Sequence, residues 1–383
     1  MSGVLQIITT LQRGGAQKIA LQAACKLHTQ TTPHALISGC EGSLQHEAKH
    51  RLGPRHVTVP SLKRHISPAS DWTTIQHLRK LIRGFMKRVS PPIVVHTHSS
   101  KAGVLGRLAT SGLRGVANVH TVHGFGMGSQ GPMWEKPFLS LERLASQPKQ
   151  TLVFVSSADL ALSESLHIGH GNRKLLIRAG IDPHRFSQSH MPDRHLARST
   201  FGISPESDVA VVIGNLKPQK DPLFHVEVLN AWRQRNAAAH LLFVGDGPLR
   251  HEMVQRAKHL GVDRHLTLPG QLEDVRPALA AADVCLLASL WEGLPCSLLE
   301  AMAAGLPIVY RDTGYGKDLS FAGHRLSSQL LSAAPERFAE ALEDALSKKR
   351  VAVDLPPPFT EEGMLAELEH LYEQCLFEAK IES

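Results

Sequence analysis

The run Asp283-Val-Cys-Leu-Leu-Ala288 is apolar enough for a buried parallel strand, and Gly293 and Pro295 break it just before a helical periodicity begins. A strand, a tight loop and a helix in immediate succession satisfy that pattern. The helix reads as capped at Ser297, ending at Gly305 and closed by Pro307. Such a unit aims free backbone N–H groups and the positive end of a dipole above the strand's carboxyl end, which is a phosphate-binding geometry. Two carboxylates, Glu292 and Glu300, flank the helix start and can bind hydroxyls beside that phosphate. Ser297-Leu-Leu-Glu300 also spells a capping box, in which Glu300 only holds the N-cap N–H. Both readings of Glu300 stand. Glu292, between Trp291 and Gly293, has no helical register to serve.

The same plan recurs along the chain, which predicts an α/β fold of two Rossmann-like domains. Val4–Ile8 reads as a strand and Lys18 to about His28 as a helix; between them Gly14 and Gly15 either let backbone approach a ligand or form a plain turn. His34–Ser38 is a second strand. The helix after it holds His46-Glu-Ala-Lys-His50, which matches a zinc-protease pattern but has no third ligand downstream; we read no metal site there. Leu62-Lys63-Arg64-His65 and a helix over 73–88 gather basic residues, either for an anionic bilayer or as an ordinary solvated face. His98 and His123 fall at the carboxyl ends of two strands, where open α/β sheets place ligands, and Lys101 begins the turn after the first of them. Gly126-Met-Gly-Ser-Gln-Gly131 spells a dinucleotide motif without the following helix or acid, and is set aside.

A second series opens at Val209. Its strand ends in Gly214 and Asn215, and Lys217 and Lys220 follow, either as point charges for a pyrophosphate or as solvated surface lysines. Leu241–Leu249, with Gly245 and Gly247, and the strand ending at Gly270 continue the pattern. The expected division is residues 1–186, a polar linker over 187–207, a second domain over 208–355, and a C-terminal helical segment over 356–383.

Charge is divided unevenly. Residues 1–190 carry 23 Lys+Arg against 8 Asp+Glu, whereas the remainder carries 19 against 27. A basic half joined to an acidic half points to an anionic partner, and aromatics at 5% with no RNA-binding signature argue against nucleic acid. Five scattered cysteines outside any C-x-x-C pair indicate neither a disulfide framework nor a zinc knuckle, and no apolar run approaches the ~20 residues of a bilayer span. The expected location is cytoplasmic, peripheral at the inner face of the membrane.

The segment E-G-L-P-x-x-L-L-E-A-M-A-x-G-L-P, residues 292–307, resembles the E-x7-E signature of glycosyltransferase family 4, retaining enzymes of the GT-B fold. That resemblance implies two Rossmann-like domains facing across a cleft and a C-terminal helix crossing back to the first. It implies transfer from a nucleotide diphosphate-sugar to a glycan or lipid-linked acceptor, with no cofactor and no metal, since no D-x-D motif is present. His123, Glu292 and Lys220 become the expected catalytic residues. Gly14, Gly15, Gly214, Asn215, Lys217, Gly245, Gly247, Gly270, Gly293, Leu294, Pro295, Cys296, Ser297, Leu298 and Glu300 become expected donor contacts. Lys63, Arg64, His98 and Lys101 fall on the expected acceptor or membrane side. Two departures stand out: Asn215 replaces the family's Arg, and Asp318 stands where its G-G-x-x-E motif has Glu. They keep open a catalytically silent binding protein, and a nucleotide-sugar epimerase of the same fold is the other alternative.

Overall fold

The computed structural model describes residues 2–125, 143, 150–321, 326–330 and 334–381; the G-x-G-x-x-G stretch lies outside them. Two compact units divide the chain, Met1–Ala179 with Glu361–Ser383, and Gly180–Thr360.

In the first unit, strands β1 (Gly3–Ile8), β2 (His34–Ser38), β3 (His56–Thr58), β4 (Ile93–His98), β5 (Val116–Val122), β6 (Thr151–Phe154) and β7 (Arg173–Leu176) form one sheet. Its order is β3-β2-β1-β4-β5-β6-β7, and every neighbouring pair is parallel. β1 is buried at all six positions, as a strand covered by helices on both faces must be. On one face Leu5, Ile7 and Val95 pack with Leu78, Ile82 and Phe85 of the helix Pro68–Val89. On the other, Ile8 and Leu36 meet Ala20, Leu21 and Ala24 of the helix Gly15–Lys26. This helix starts at Gly15, earlier than the Lys18 its periodicity suggests, because small and polar residues leave no apolar mark on a first turn.

The second unit repeats the topology with β8 (Asp208–Ile213), β9 (Ala239–Val244), β10 (Leu266–Gly270), β11 (Val284–Leu287), β12 (Ile308–Arg311) and β13 (Leu326–Leu330), in the order β10-β9-β8-β11-β12-β13. Val212, Phe243, Leu286, Trp232 and Phe338 form its core. In each unit the strand order reverses once, between β1 and β4 and between β8 and β11. Ligands of open α/β sheets bind outside such a reversal, because the two helices leave on opposite faces and open a crevice.

The C-terminal helix, Glu361–Ile381, belongs to the first unit. Leu368, Leu371 and Cys375 are buried there, and the Tyr372 hydroxyl reaches Gln6 of β1 at 2.9 Å. Glu361 is tied to Lys26 and accepts from Gln22 at 2.6 Å.

The expected linker does not hold. Residues 194–200 form a helix capped by Asp193, and Arg198, 2% exposed, donates to Asp283 at 2.7 Å within the second unit. Polar composition suggests a linker, but the buried cation of this stretch finds its carboxylate far along the chain. Similarly, the first unit stops at Ala179 rather than 186, and residues 356–360 stay with the second unit. Among the described residues no helix is long and apolar enough to cross a membrane.

Candidate functional site

The reversal between β8 and β11 gathers most of the sequence-derived residues of the second unit. β8 runs into Gly214, where an added Cβ would stand 2.8 Å from Lys220 Cε, so the glycine lets the lysine lie along the strand end. At Gly245, with φ near +147°, a Cβ would fall 1.9 Å from the Gly214 carbonyl oxygen; only glycine lets these two turns touch. Gly247 is packed against the Leu216 backbone in the same way, and Gly270 ends β10. These glycines are explained first by backbone packing.

Lys220 and Glu292 meet across the reversal at 2.5 Å, their side chains only 14% and 10% exposed. Three residues, Leu290, Gln219 and His225, make further contacts that fix the loops carrying them. Leu290 N–H donates to the Gln219 carbonyl at 2.8 Å, and Gln219 Nε2 donates to Trp291 O at 3.1 Å and to Glu292 Oε2 at 3.4 Å. His225 is the third: its Nδ1 lies 2.9 Å from Asp221 O and its Nε2 accepts from Ala288 N–H at 3.2 Å. One nitrogen must donate and the other accept, so this ring is neutral with the proton on Nδ1. Burial pushes its pKa down to about 4. Asp221 itself sits in the left-handed region at φ 47°, a cost of roughly 1 kcal/mol for a non-glycine residue.

The helix expected to begin at a Ser297 cap begins at Cys296 and ends at Ala303, with Pro295 at the N-cap and no side-chain cap bond. Ser297 lies inside the first turn, so the capping-box reading of Glu300 falls away. Pro295 has extended backbone there, and a proline before a helix start cannot donate. Cys296 and Ser297 therefore carry the leading N–H groups of the helix, behind Gly293, Leu294 and Pro295, which are buried, while the Leu298 N–H donates to the Pro295 carbonyl at 3.0 Å. Glu300 is buried on the same helix, and it helps to raise the Cys285 thiol of β11 to about 12, after burial itself, while Lys220 opposes that shift. Glu300, Lys220 and Glu292 thus share one strand end. Ser289 Oγ, just after β11, and Thr313 Oγ1, just after β12, are buried without a hydrogen-bond partner among the described residues, the condition of groups that a polar ligand could satisfy. Asp318 is 5% exposed, and Asp312 rather than Asp318 receives the N–H groups of Gly314 and Gly316, at 2.7 and 3.0 Å. Asn215 and Lys217 occupy the turn after β8.

The first unit brings its own pair together. His98 ends β4 and His123 follows β5, and His98 Nδ1 lies 3.0 Å from His123 Nε2. Gly14 immediately precedes the helix that Gly15 starts. Lys63 and Arg64 are exposed. Lys101 is not available to an acceptor: it is 13% exposed, salt-bridged to Asp71 at 2.5 Å and bonded to the His65 carbonyl. Its partner could not be read from the sequence, because Asp71 belongs to a different helix. His46 and His50 are exposed on their helix, where Glu47 pairs with Arg51 at 3.0 Å.

Two Rossmann-like units and a C-terminal helix returned to the first make this a GT-B fold. Sucrose-phosphate synthase from Thermosynechococcus elongatus matches it with a TM-score of 0.71 over 98% of this chain and 100% of that one, at 17% identity. Anabaena Alr3699/HepE, solved in complex with UDP-glucose, matches with a TM-score of 0.70 over 98% and 95%, also at 17%. Residues 14–173 match the family described as glycosyl transferase 4-like domain, and residues 207–348 that described as glycosyl transferases group 1. The UDP-Gal:alpha-D-GlcNAc-diphosphoundecaprenol alpha-1,3-galactosyltransferase of Escherichia coli is 31% identical over 300 residues, 77% of this chain and 75% of that one. The chain belongs to these glycosyltransferases.

Buried histidines give the fold a pH signature. Burial lowers His34 and His120 to about 3, and His123, His225 and His240 to about 4, from 6.5. Their folded pKa values lie below the unfolded one, so their contribution is whole above pH 6.5 and is lost as pH falls toward 4. Each ring costs up to about 1.4 kcal/mol per pH unit within that window. Urea unfolding should lose several kcal/mol between pH 6.5 and 4.5; a flat profile over that window would contradict the neutral, buried assignment.

Proposed function

We propose that this glycosyltransferase moves a sugar, with retention of anomeric configuration and without a metal, from a nucleotide diphosphate-sugar to an acceptor in surface-polysaccharide or lipid-linked glycan assembly. The observation that carries the reading is the Lys220–Glu292 pair at the β8/β11 reversal, beside the start of the helix Cys296–Ala303. An ammonium has three donors. One meets Glu292, and the others can take the oxygens of a leaving diphosphate. The backbone at Cys296 and Ser297 would bind the same diphosphate, the Leu298 N–H being held by the Pro295 carbonyl, and that contact matters more where Asn215 stands in place of a second cation.

The barrier lies in breaking the anomeric C–O bond while negative charge gathers on the diphosphate and an oxocarbenium-like sugar forms. Charges fixed before the reaction stabilise that state without reorganising. Glu292 would accept from donor-sugar hydroxyls, Glu300 from the ribose, and His123 would line the sugar. The names of the similar proteins support a UDP-linked donor and an undecaprenyl-diphosphate acceptor as the first candidates.

We also place a membrane contact on the basic helix of the first unit. Ile66 and Trp72 are 72% and 66% exposed, an isoleucine and a tryptophan six positions apart around the start of that helix. Lys63 and Arg64 are exposed in the segment that precedes the helix, and Lys80, Arg83, Lys87 and Arg88 are exposed along it. Aromatic insertion beside basic residues suits an anionic lipid interface.

Three experiments bear on these readings. Lys220→Ala and Glu292→Ala should each lower nucleoside diphosphate release by about 10²–10³-fold while the proteins stay folded, which is the loss seen for a charge-stabilising group. Product anomers read by NMR should match the donor's configuration. An inverted anomer, an epimerised donor formed without acceptor, or wild-type rates in both variants would sink the assignment. For the membrane, Ile66→Ser with Trp72→Ser should cut co-sedimentation with phosphatidylglycerol vesicles severalfold; equal binding by wild type to neutral phosphatidylcholine vesicles would contradict the charge-led contact.

A further inference from the structure

A buried hydrogen-bonded chain links His123 to the C-terminal helix. His123 Nε2 lies 3.0 Å from His98 Nδ1, and His98 Nε2 lies 2.8 Å from Gln6 Oε1. Gln6 Nε2 donates to the Tyr372 hydroxyl at 2.9 Å, which lies 2.6 Å from His96 Nδ1; His96 Nε2 ends the chain at Thr121 Oγ1, 2.7 Å away. Gln6, His96 and His98 are wholly buried, and Tyr372 is 2% exposed.

None of these rings is charged near neutrality. Burial, reinforced by neighbouring histidines, holds His96 and His98 well below their usual range, and burial alone brings His123 to about 4. A neutral imidazole has one donor nitrogen and one acceptor, so each link dictates the next. Gln6 is the reference point. Its amide nitrogen is committed to Tyr372, and its Oε1 can only accept. His98 must therefore carry its proton on Nε2 and accept at Nδ1. His123 must donate from Nε2, which leaves its Nδ1 unprotonated. Tyr372, having accepted from Gln6, gives its own proton to His96 Nδ1, and His96 donates from Nε2 to Thr121. Reversing this polarity requires the Gln6 amide to turn over and every proton to move with it.

We propose that Gln6 and Tyr372 are positioning residues, which act through His98 to hold neutral His123 in its Nε2–H tautomer, with Nδ1 kept as an acceptor for a ligand hydroxyl. The inference rests on the reading that His123 lines the donor sugar. Nδ1 makes no hydrogen bond to a described residue. An acceptor nitrogen complements a sugar hydroxyl, which has a proton to give, and disfavours a phosphate oxygen at the same place. The side chain that sets this preference comes from the far end of the chain, 249 positions after His123.

The test uses the full chain labelled with ¹⁵N-histidine. Two-bond ¹H–¹⁵N correlation spectra at pH 7.5, with the His123 signals assigned by their loss in His123→Gln, report which ring nitrogen carries the proton. We expect protonated Nε2 and unprotonated Nδ1 in the wild type. Gln6→Leu and Tyr372→Phe should give a mixture of tautomers and a kcat/KM for the donor about tenfold lower, the worth of one neutral hydrogen bond. A wild-type Nδ1–H tautomer overturns the proposal with no variant needed, and so does an unchanged single tautomer in both folded variants. If His123→Gln turns over donor at the wild-type rate, the sugar contact fails and with it the ligand half of the proposal, while the tautomer spectrum still decides the relay.

Discussion

The ion pair between Lys220 and Glu292 is the constraint on which the rest of the second unit turns. Opposite charges this little exposed are worth keeping only if their surroundings hold them in place, since desolvation can cost as much as the attraction returns. Here the holding groups are identifiable. His225 bridges the Asp221 carbonyl and the Ala288 N–H, and Gln219 bridges the Leu290 and Trp291 backbone. The loops after β8 and β11 are therefore one piece. A ligand arriving there meets charges already oriented, which is what makes electrostatic stabilisation effective in a transferase.

The fold explains why those loops meet. A parallel sheet with a single reversal of strand order must leave two neighbouring strands whose helices depart on opposite faces. The chain uses that crevice twice, with carboxylate and ammonium at β8/β11 and with polar side chains at β1/β4, where Thr9 and Ser99 hydroxyls lie 3.2 Å apart. The same topology thus carries charge in one unit and neutral hydrogen bonding in the other. The uneven charge of the sequence takes a different place: several of the first unit's cations lie exposed on the helix Pro68–Val89, away from its strand ends.

Much of this was legible in the residues. Apolar strands bounded by glycine turns gave the two Rossmann-like units, and Glu292 was marked by its lack of helical register. What the sequence could not carry was pairing at a distance. His225 reads as one polar residue on a helix until its partner at Ala288 is known, and Arg198 reads as part of a linker until Asp283 is seen beside it. Lys101 reads as a free cation for the same reason. The capping box misled because local spacing at Ser297 and Glu300 satisfied the rule, whereas Pro295 had already taken the N-cap position. The role of the Tyr372 hydroxyl likewise depends on two distant strands, through Gln6 of β1 and His96 of β4.

The central claim is that the two joined loops form the seat of the donor diphosphate. Amide hydrogen exchange tests it most directly, with and without the nucleoside diphosphate of the donor that the enzyme turns over. Protection should rise in the peptides spanning residues 214–221 and 289–298 together, because the loops are tied to one another. Protection confined to other segments, or to one loop without its partner, would contradict the account.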